Sequence, residues 1–208
     1  MHSRTFASAF TLLACAYSVA VALGQSTYDG NWWVSVVHDQ RLGFVDGYVD
    51  CSALVNPRDQ FYNAVPFEEL VKRVDAFYSA NAHETSQPVL SVLRRVANSS
   101  PVTTTPKSTF GLFDGEDWRQ ASEPYRLGFV QGYRFCYQSS GDMHLGRFGK
   151  SNQWYVDRIS SWYGVTKGDP SEINPKRYKR MIAQVLFLFK DPVPDGTHRH
   201  EPANASGR

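Results

Sequence analysis

The chain has 208 residues, of which 22 are basic and 20 acidic, and its residues are 42% hydrophobic and 14% aromatic. A formal net charge of +2 offers no bulk electrostatic case for nucleic-acid binding. The length suffices for one domain or two small ones, and the aromatic content suits a well-packed core.

In chain order, the first segment reads as a targeting signal. His2 and Arg4 form a short basic start, residues 6–23 are apolar or small without a charge, and Ala22-Leu23-Gly24 supplies small residues for cleavage before Gln25. This is the pattern of a secretory signal peptide over residues 1–24. A retained membrane anchor is one rival, because the run is near the minimum length for a spanning helix. Lipidation at Cys15 is another, and it would leave the apolar residues 16–23 in the mature chain. Cleavage would remove Arg4 and Cys15, leaving Cys51 and Cys136 as an even pair in an oxidising compartment.

The mature chain is organised around Arg41-Leu42-Gly43-Phe44-Val45-Asp46-Gly47-Tyr48-Val49-Asp50-Cys51. The stretch returns at an offset of 85 residues as Arg126-Leu127-Gly128-Phe129-Val130-Gln131-Gly132-Tyr133-Arg134-Phe135-Cys136. Tyr28-Asp29-Gly30 and Trp33 answer to Phe113-Asp114-Gly115 and Trp118 at the same offset, and Val71, Val74 and Phe77-Tyr78 answer to Val156, Ile159 and Trp162-Tyr163. Glycines, aromatics and a cysteine in one register point to an internal repeat.

The motif reads as a helix capped by Asp29. Trp33, Val37, Phe44, Tyr48 and Cys51 fall on one stripe at helical spacing, widened by Val34, Leu42, Val45 and Val49, and only Ser35, Asp39, Asp46 and Asp50 make a polar strip, so the helix is expected to be buried around most of its circumference. Gly43 and Gly47, like Gly128 and Gly132, are four residues apart, and each glycine costs about 1 kcal/mol inside a helix. Close helix-to-helix approach through small-xxx-small spacing is one reason to carry that cost. Room for a neighbouring Trp or Phe is the other.

Asn56-Pro57 ends this helix. Pro66, in a first-turn position ahead of Glu68 and Glu69, opens a second helix with Leu70, Val71, Val74, Phe77 and Tyr78 on its apolar face. Pro88 opens a third, with Val89, Val92, Leu93 and Val96 periodic. A Ser/Thr/Pro linker over residues 98–112 separates this first repeat, 25–97, from the second, 113–190. The second repeat is expected to hold helices over about 116–137, about 152–163 and about 174–189, the last with an almost wholly apolar end, Met181 to Phe189, that must be buried. Residues 191–208 read as a disordered tail. The fold class is therefore all-α: a tandem duplication of a three-helix unit about a pseudo-two-fold, with the motif helices packed through their glycine ladders.

Several stretches carry possible chemistry. Gly146-Arg147-Phe148-Gly149-Lys150-Ser151 looks like the end of a phosphate loop, but the position five before Gly149 is His144 where the motif needs glycine, and no strand precedes it. Asp46 and Asp50 share a helix face and could bind a cation or do acid–base work, while the helical wheel turns them toward solvent. His38, His83 and His144 have no histidine or cysteine at ligand spacing, and His198 and His200 lie in the tail, so no metal or other cofactor is expected. Lys176, Arg177, Lys179 and Arg180 form a basic cluster that could hold an acidic partner or a polyanion; its plain reading is an exposed helix face over Tyr178, Met181 and Ile182. Asn98-Ser99-Ser100 and Asn204-Ala205-Ser206 are glycosylation sequons in a eukaryotic secretory path.

If the two glycine ladders face each other, Cys51 and Cys136 come together near the pseudo-two-fold axis, within reach of an intramolecular disulfide. Otherwise each cysteine is a small buried residue of its own repeat or pairs between chains.

The stretch Gly43-Phe44-Val45-Asp46-Gly47-Tyr48-Val49-Asp50-Cys51 resembles the glycine-rich first helix of small helical periplasmic immunity proteins of the Rap/Tai type, which block cell-wall amidase toxins. The resemblance covers about eleven residues per repeat and implies a non-catalytic inhibitor; it transfers no binding residue. Together these readings lead to an exported binding or inhibitor protein, periplasmic or secreted, whose partner is an unknown protein or envelope component. No nucleic acid is expected as a partner, nor stable membrane insertion once the signal is cleaved. The alternatives are a cell-envelope hydrolase using Asp46, Asp50 or His38, and a purely structural envelope protein.

Overall fold

The computed structural model describes residues 28–55, 65–99, 114–140, 147–164 and 182–191. Among them the chain forms α-helices and one 3₁₀ turn, Ala82–Glu84, and no strand. Two isolated antiparallel bridges, Asp29 with Pro88 and Arg147 with Asp191, tie loops together.

One continuous motif helix was expected; two are observed, α1 over Gly30–Ser35 and α2 over His38–Val55. Asp29 caps α1, accepting from the Trp32 amide. The chain then breaks at Val36, which is extended with φ −100° and ψ 157°. Arg41 holds the break by donating from Nε and Nη2 to the Val36 carbonyl at 3.1 and 2.8 Å, which satisfies an end-of-helix acceptor. The helical wheel that placed Trp33 and Val37 in line with Phe44 does not survive this break. Trp33 is fully buried by a helix of its own, and Val37 is 56% exposed.

The second half repeats the departure. In place of one helix over 116–137 there are α5, Gly115–Gln120, and α6, Glu123–Ser139. Asp114 caps α5 in a capping box with Asp117, and Ser122 caps α6, whose first turn accommodates Pro124. Arg126 donates to the Trp118 and Arg119 carbonyls at 2.8 and 3.0 Å, as Arg41 does at the corresponding break.

The remaining helices follow their sequence signals more closely. α3, Phe67–Ala80, starts one residue later than expected, with Pro66 as its N-cap and Glu68 and Glu69 in its first turn. α4, Val89–Ala97, buries Val89, Val92, Leu93 and Val96. α7, Asn152–Tyr163, is capped by Ser151 and closed by Gly164 at φ 74°, a left-handed cap that suits glycine. α8, Ile182–Leu188, buries Ile182, Ala183, Val185 and Leu186. Its end was expected to be wholly buried, yet Phe187 and Leu188 are 36% and 52% exposed, because a short helix packed on α7 covers only one of its sides. Among the described residues each half thus holds four α-helices, where three were expected.

α2 and α6 lie side by side and make the largest contact between elements. Residues 40–48 of α2 meet residues 125–132 of α6 in ascending order, so the two helices run in the same direction. A Cβ placed on Gly43 would lie 2.1 Å from the Tyr125 carbonyl oxygen, and one on Gly47 would lie 2.0 Å from that of Phe129. Reciprocally, a Cβ on Gly128 would lie 2.0 Å from the Gln40 oxygen and one on Gly132 1.9 Å from the Phe44 oxygen. The nearest neighbours are backbone atoms, not aromatic rings.

Two apolar clusters flank this contact. One joins Trp33, Phe44, Val45 and Val49 to the buried faces of α3 and α4. The other joins Trp118, Phe129, Tyr133 and Cys136 to α7 and α8, and takes in Tyr48 and Cys51 from the first half. Burying a Phe or Leu side chain contributes about 1.5–3 kcal/mol, so the fully buried Phe44, Phe129, Leu70 and Ile159 anchor the outer helices firmly on the central pair.

Candidate functional site

Every residue of α2 from Gly43 to Ser52 is buried. The helix has the outer helices of its own half on one side and α6 on the other, so no face is left for water. Asp46 and Asp50 are therefore 6% and 8% exposed. Their expected solvent-facing position is wrong, and the reason is tertiary: they do lie opposite Phe44 on α2, but that strip faces the second half of the chain, where Tyr125 meets Asp46.

Tyr125 of α6 donates its phenol to Asp46 Oδ2 at 2.7 Å. At the 85-residue offset Tyr125 corresponds to Gln40 and Asp46 to Gln131, and Gln40 donates to Gln131 Oε1 at 2.9 Å. Burial pushes the Asp46 carboxyl above the ordinary carboxylate range against the lowering effect of the Tyr125 bond, and Asp117 pushes it further the same way. Burial, then the neighbouring Asp46, pushes Asp50 up as well. The phenols facing them respond in kind: Tyr125 and Tyr133 are raised first by burial and then by these carboxylates. Groups in this state can keep protons and donate hydrogen bonds at a pH where ordinary carboxyls are ionised.

Cys51 and Cys136 form a disulfide within the chain, with Cα atoms 6.0 Å apart and exposures of 0% and 4%. That separation is ordinary for a disulfide. The bond joins α2 to α6 at the residue next to Asp50 and leaves no cysteine nucleophile there.

The other candidate residues are not gathered at this place. His38 is at the exposed start of α2, where its Nε2 is 3.1 Å from Glu68 Oε2, eight residues from Asp46 on the same helix. His83 is exposed and sits 3.7 Å from Glu84. No group of three or more His, Cys, Asp or Glu is placed to hold a metal ion among the described residues. In the glycine loop, Phe148 is buried and Gly149 donates to Asp191 Oδ2 at 3.2 Å, while the Ser151 side chain is spent capping α7. The basic cluster Lys176, Arg177, Lys179 and Arg180, most of the linker and nearly all of the tail lie outside the described residues, as do residues 1–24.

Sequence reasoning missed two participants. Tyr125 precedes the repeated motif and reads as an ordinary first-turn aromatic; the signal for it was its offset position opposite Gln40. Arg134 replaces Val49 at the same offset. Its guanidinium lies 4.9 Å over the Tyr155 ring and donates to the Asn152 side chain and to the Phe148 carbonyl. Burial lowers its proton affinity, and Tyr155 and Tyr28 offset this in part.

No family model, no curated protein and no solved structure matches this chain. No helix of the described residues is long and apolar enough to cross a membrane.

Proposed function

We propose that the chain is an exported binding or inhibitor module without catalytic activity, of the immunity-like kind that its glycine-rich motif resembles. It works in the periplasm or outside the cell, on a protein or envelope component. The observation that carries this reading is the Cys51–Cys136 disulfide, which suits an oxidising compartment and joins the two motif helices into a rigid centre. On that centre the outer helices of both halves are held as a fixed surface for recognition.

The same reading takes the architecture as a tandem duplication packed through its glycine ladders. In its support, Asp29 and Asp114 cap corresponding helices, Trp33 and Trp118 each send their indole N–H to the residue 42 positions on, and the glycine contacts are reciprocal. Two homologous units meeting by one self-complementary patch have this geometry.

Two measurements test the proposal. Residues 1–30 fused to a reporter that works only outside the cytoplasm should export it, and the mature protein should begin at Gln25; an envelope protein still starting at Met1 sinks the cleaved-signal version. Disulfide-intact protein used as bait in an envelope extract should then retain a discrete partner. A purely structural role would yield none. The competing hydrolase reading draws on Asp46, Asp50 and His38, although the first two are shut in the α2/α6 contact, away from a wall polymer. Substituting Asp46, Asp50 and His38 by alanine would abolish an associated hydrolysis of wall material under that reading, and would leave partner capture as the surviving activity under the first.

A further inference from the structure

The α2/α6 contact is reciprocal in its backbone and one-sided in its charge. The Gln40–Gln131 and Tyr125–Asp46 hydrogen bonds, 2.9 and 2.7 Å long, occupy corresponding places. The first joins two neutral amides. The second ends on a carboxyl that is 6% exposed, with a second carboxyl, 8% exposed, one turn on at Asp50. Phe135 stands at the position corresponding to Asp50, so the acidic pair has no counterpart in the second half.

Among the described residues the surroundings hold no cation for this pair. α6 turns Tyr125 and Tyr133 toward it, and α5 adds Asp117, a third acid. α8 carries no ionisable side chain over Ile182–Leu188. The acids of α3 that reach this end of the first half, Glu68 and Asp75, are taken up by His38 and Arg41, ahead of Asp46 in α2. Among the described residues no lysine, arginine or histidine pairs with Asp46 or Asp50. Two carboxylates one turn apart in a buried contact, with no cation, are costly to ionise together.

We propose that Asp46 and Asp50 form a proton-held clamp between the two halves of the chain. While the pair keeps a proton, α2 and α6 stay in contact along their shared length. When the pair loses it, the halves loosen around the Tyr125–Asp46 bond, and the Cys51–Cys136 disulfide keeps them tethered. The clamp makes the protein respond to the pH of its surroundings in the direction opposite to most salt-bridged domains. Both carboxyls titrate above the ordinary range when folded and within it when unfolded. Through this pair the folded chain binds more protons than the unfolded one between about pH 4 and the folded pair's titration, and the pair's contribution to stability is lost as pH rises through that titration.

The test uses the full chain with its disulfide intact, as wild type, Asp50→Asn and the double variant Asp46→Asn with Asp50→Asn. Thermal and denaturant unfolding are followed from about pH 5 to about pH 9, where one proton held only by the folded state raises the unfolding constant up to about tenfold per pH unit. The wild type should lose stability across this range, and the double variant should lose most of that slope. Amide exchange at residues 40–51 and 125–136, corrected for intrinsic rates, should rise with pH more in the wild type than in the double variant. A wild-type stability that is flat or rises with pH overturns the clamp, as does a double variant that keeps the wild-type slope. Unchanged exchange in the presence of the slope overturns the loosening. If the double variant does not fold, the infrared carbonyl band of a protonated buried carboxyl in the wild type near neutral pH decides: its presence supports the pair as a proton holder, and its absence overturns it.

Discussion

The first half of the molecule, α1 to α4, and the second, α5 to α8, solve the same packing problem with different chemistry. Trp33 sends its indole N–H to the Asp75 carboxylate at 2.6 Å, and Arg41 reaches the same carboxylate at 2.8 Å. Trp118, in the corresponding place, finds the Ser160 hydroxyl at 3.0 Å, and Arg126 spends its donors on backbone carbonyls alone. Across the central contact one side uses two glutamines and the other a tyrosine and a buried aspartate. The difference teaches which constraints are strict. Backbone approach at the glycines leaves no room for another side chain, whereas a buried indole needs only some acceptor, and charged or neutral ones both serve.

The largest expected effect comes from cutting the covalent link between the halves. Cys51→Ser together with Cys136→Ser opens a loop spanning 85 residues, and the chain-entropy model assigns such a link on the order of 4 kcal/mol. Urea unfolding of the double variant against the oxidised wild type should show that loss as a lower midpoint. A loss well under 1 kcal/mol would mean that the halves hold each other without it.

Next are the glycines. Gly47→Ala and Gly132→Ala each push a methyl to about 2 Å from a carbonyl oxygen, and neither helix can yield without parting from the other. Overpacking of this kind costs about 1–3 kcal/mol, occasionally more, in spite of the better helix propensity of alanine. Because the contacts are reciprocal, the two substitutions should cost similar amounts in thermal unfolding. Gly149→Ala is the control: its methyl meets only the Asp191 side chain, which can move. A Gly47→Ala variant as stable as the wild type would break the picture of backbone contact.

The two tryptophans sharpen the comparison further. Trp33→Phe loses a hydrogen bond to a carboxylate, about 1.5–3 kcal/mol, and Trp118→Phe loses one to a neutral hydroxyl, about 0.5–1.5 kcal/mol, on top of similar cavity costs. The first half should be the more sensitive one by chemical denaturation; equal losses would show that Arg41 compensates for the Asp75 bond.

The smallest difference is at the caps. Asp114→Ala removes a reciprocal capping box and Asp29→Ala a single cap bond, each about 1 kcal/mol, with the larger share at Asp114. Amide exchange in α1 and α5 would register each locally.

Much of this was legible in residue order alone. The recurring motif, the cap at Asp29, the helices opened at Pro66 and Pro88, and the candidate cysteine pair all follow from short-range patterns of spacing, capping and composition. The break at Val36 was not legible, since no proline or glycine marks it, whereas the one at Ala121 carried an overlooked signal, Ser122 followed by Pro124 in the first turn of α6. Both breaks are held by Arg41 and Arg126 reaching back to carbonyls, an interaction that periodicity does not encode. Missing the first break misplaced Trp33 and Val37; Asp46 and Asp50 were sent to solvent because the wheel of α2 does not show that α6 covers its polar strip.

What residue order by itself determined is the set of local choices: an all-helical chain, its start and stop signals, and two similar segments each carrying glycines four apart and a cysteine. These depend on neighbours within a turn or two. Only the tertiary structure decided that α2 and α6 share a direction and touch through backbone, that Cys51 meets Cys136, and that two aspartates are shut between the halves. Those outcomes depend on which face of one helix is covered by another element distant in the chain. Burial by a distant partner, not local polarity, sets whether a carboxyl meets water or keeps a proton.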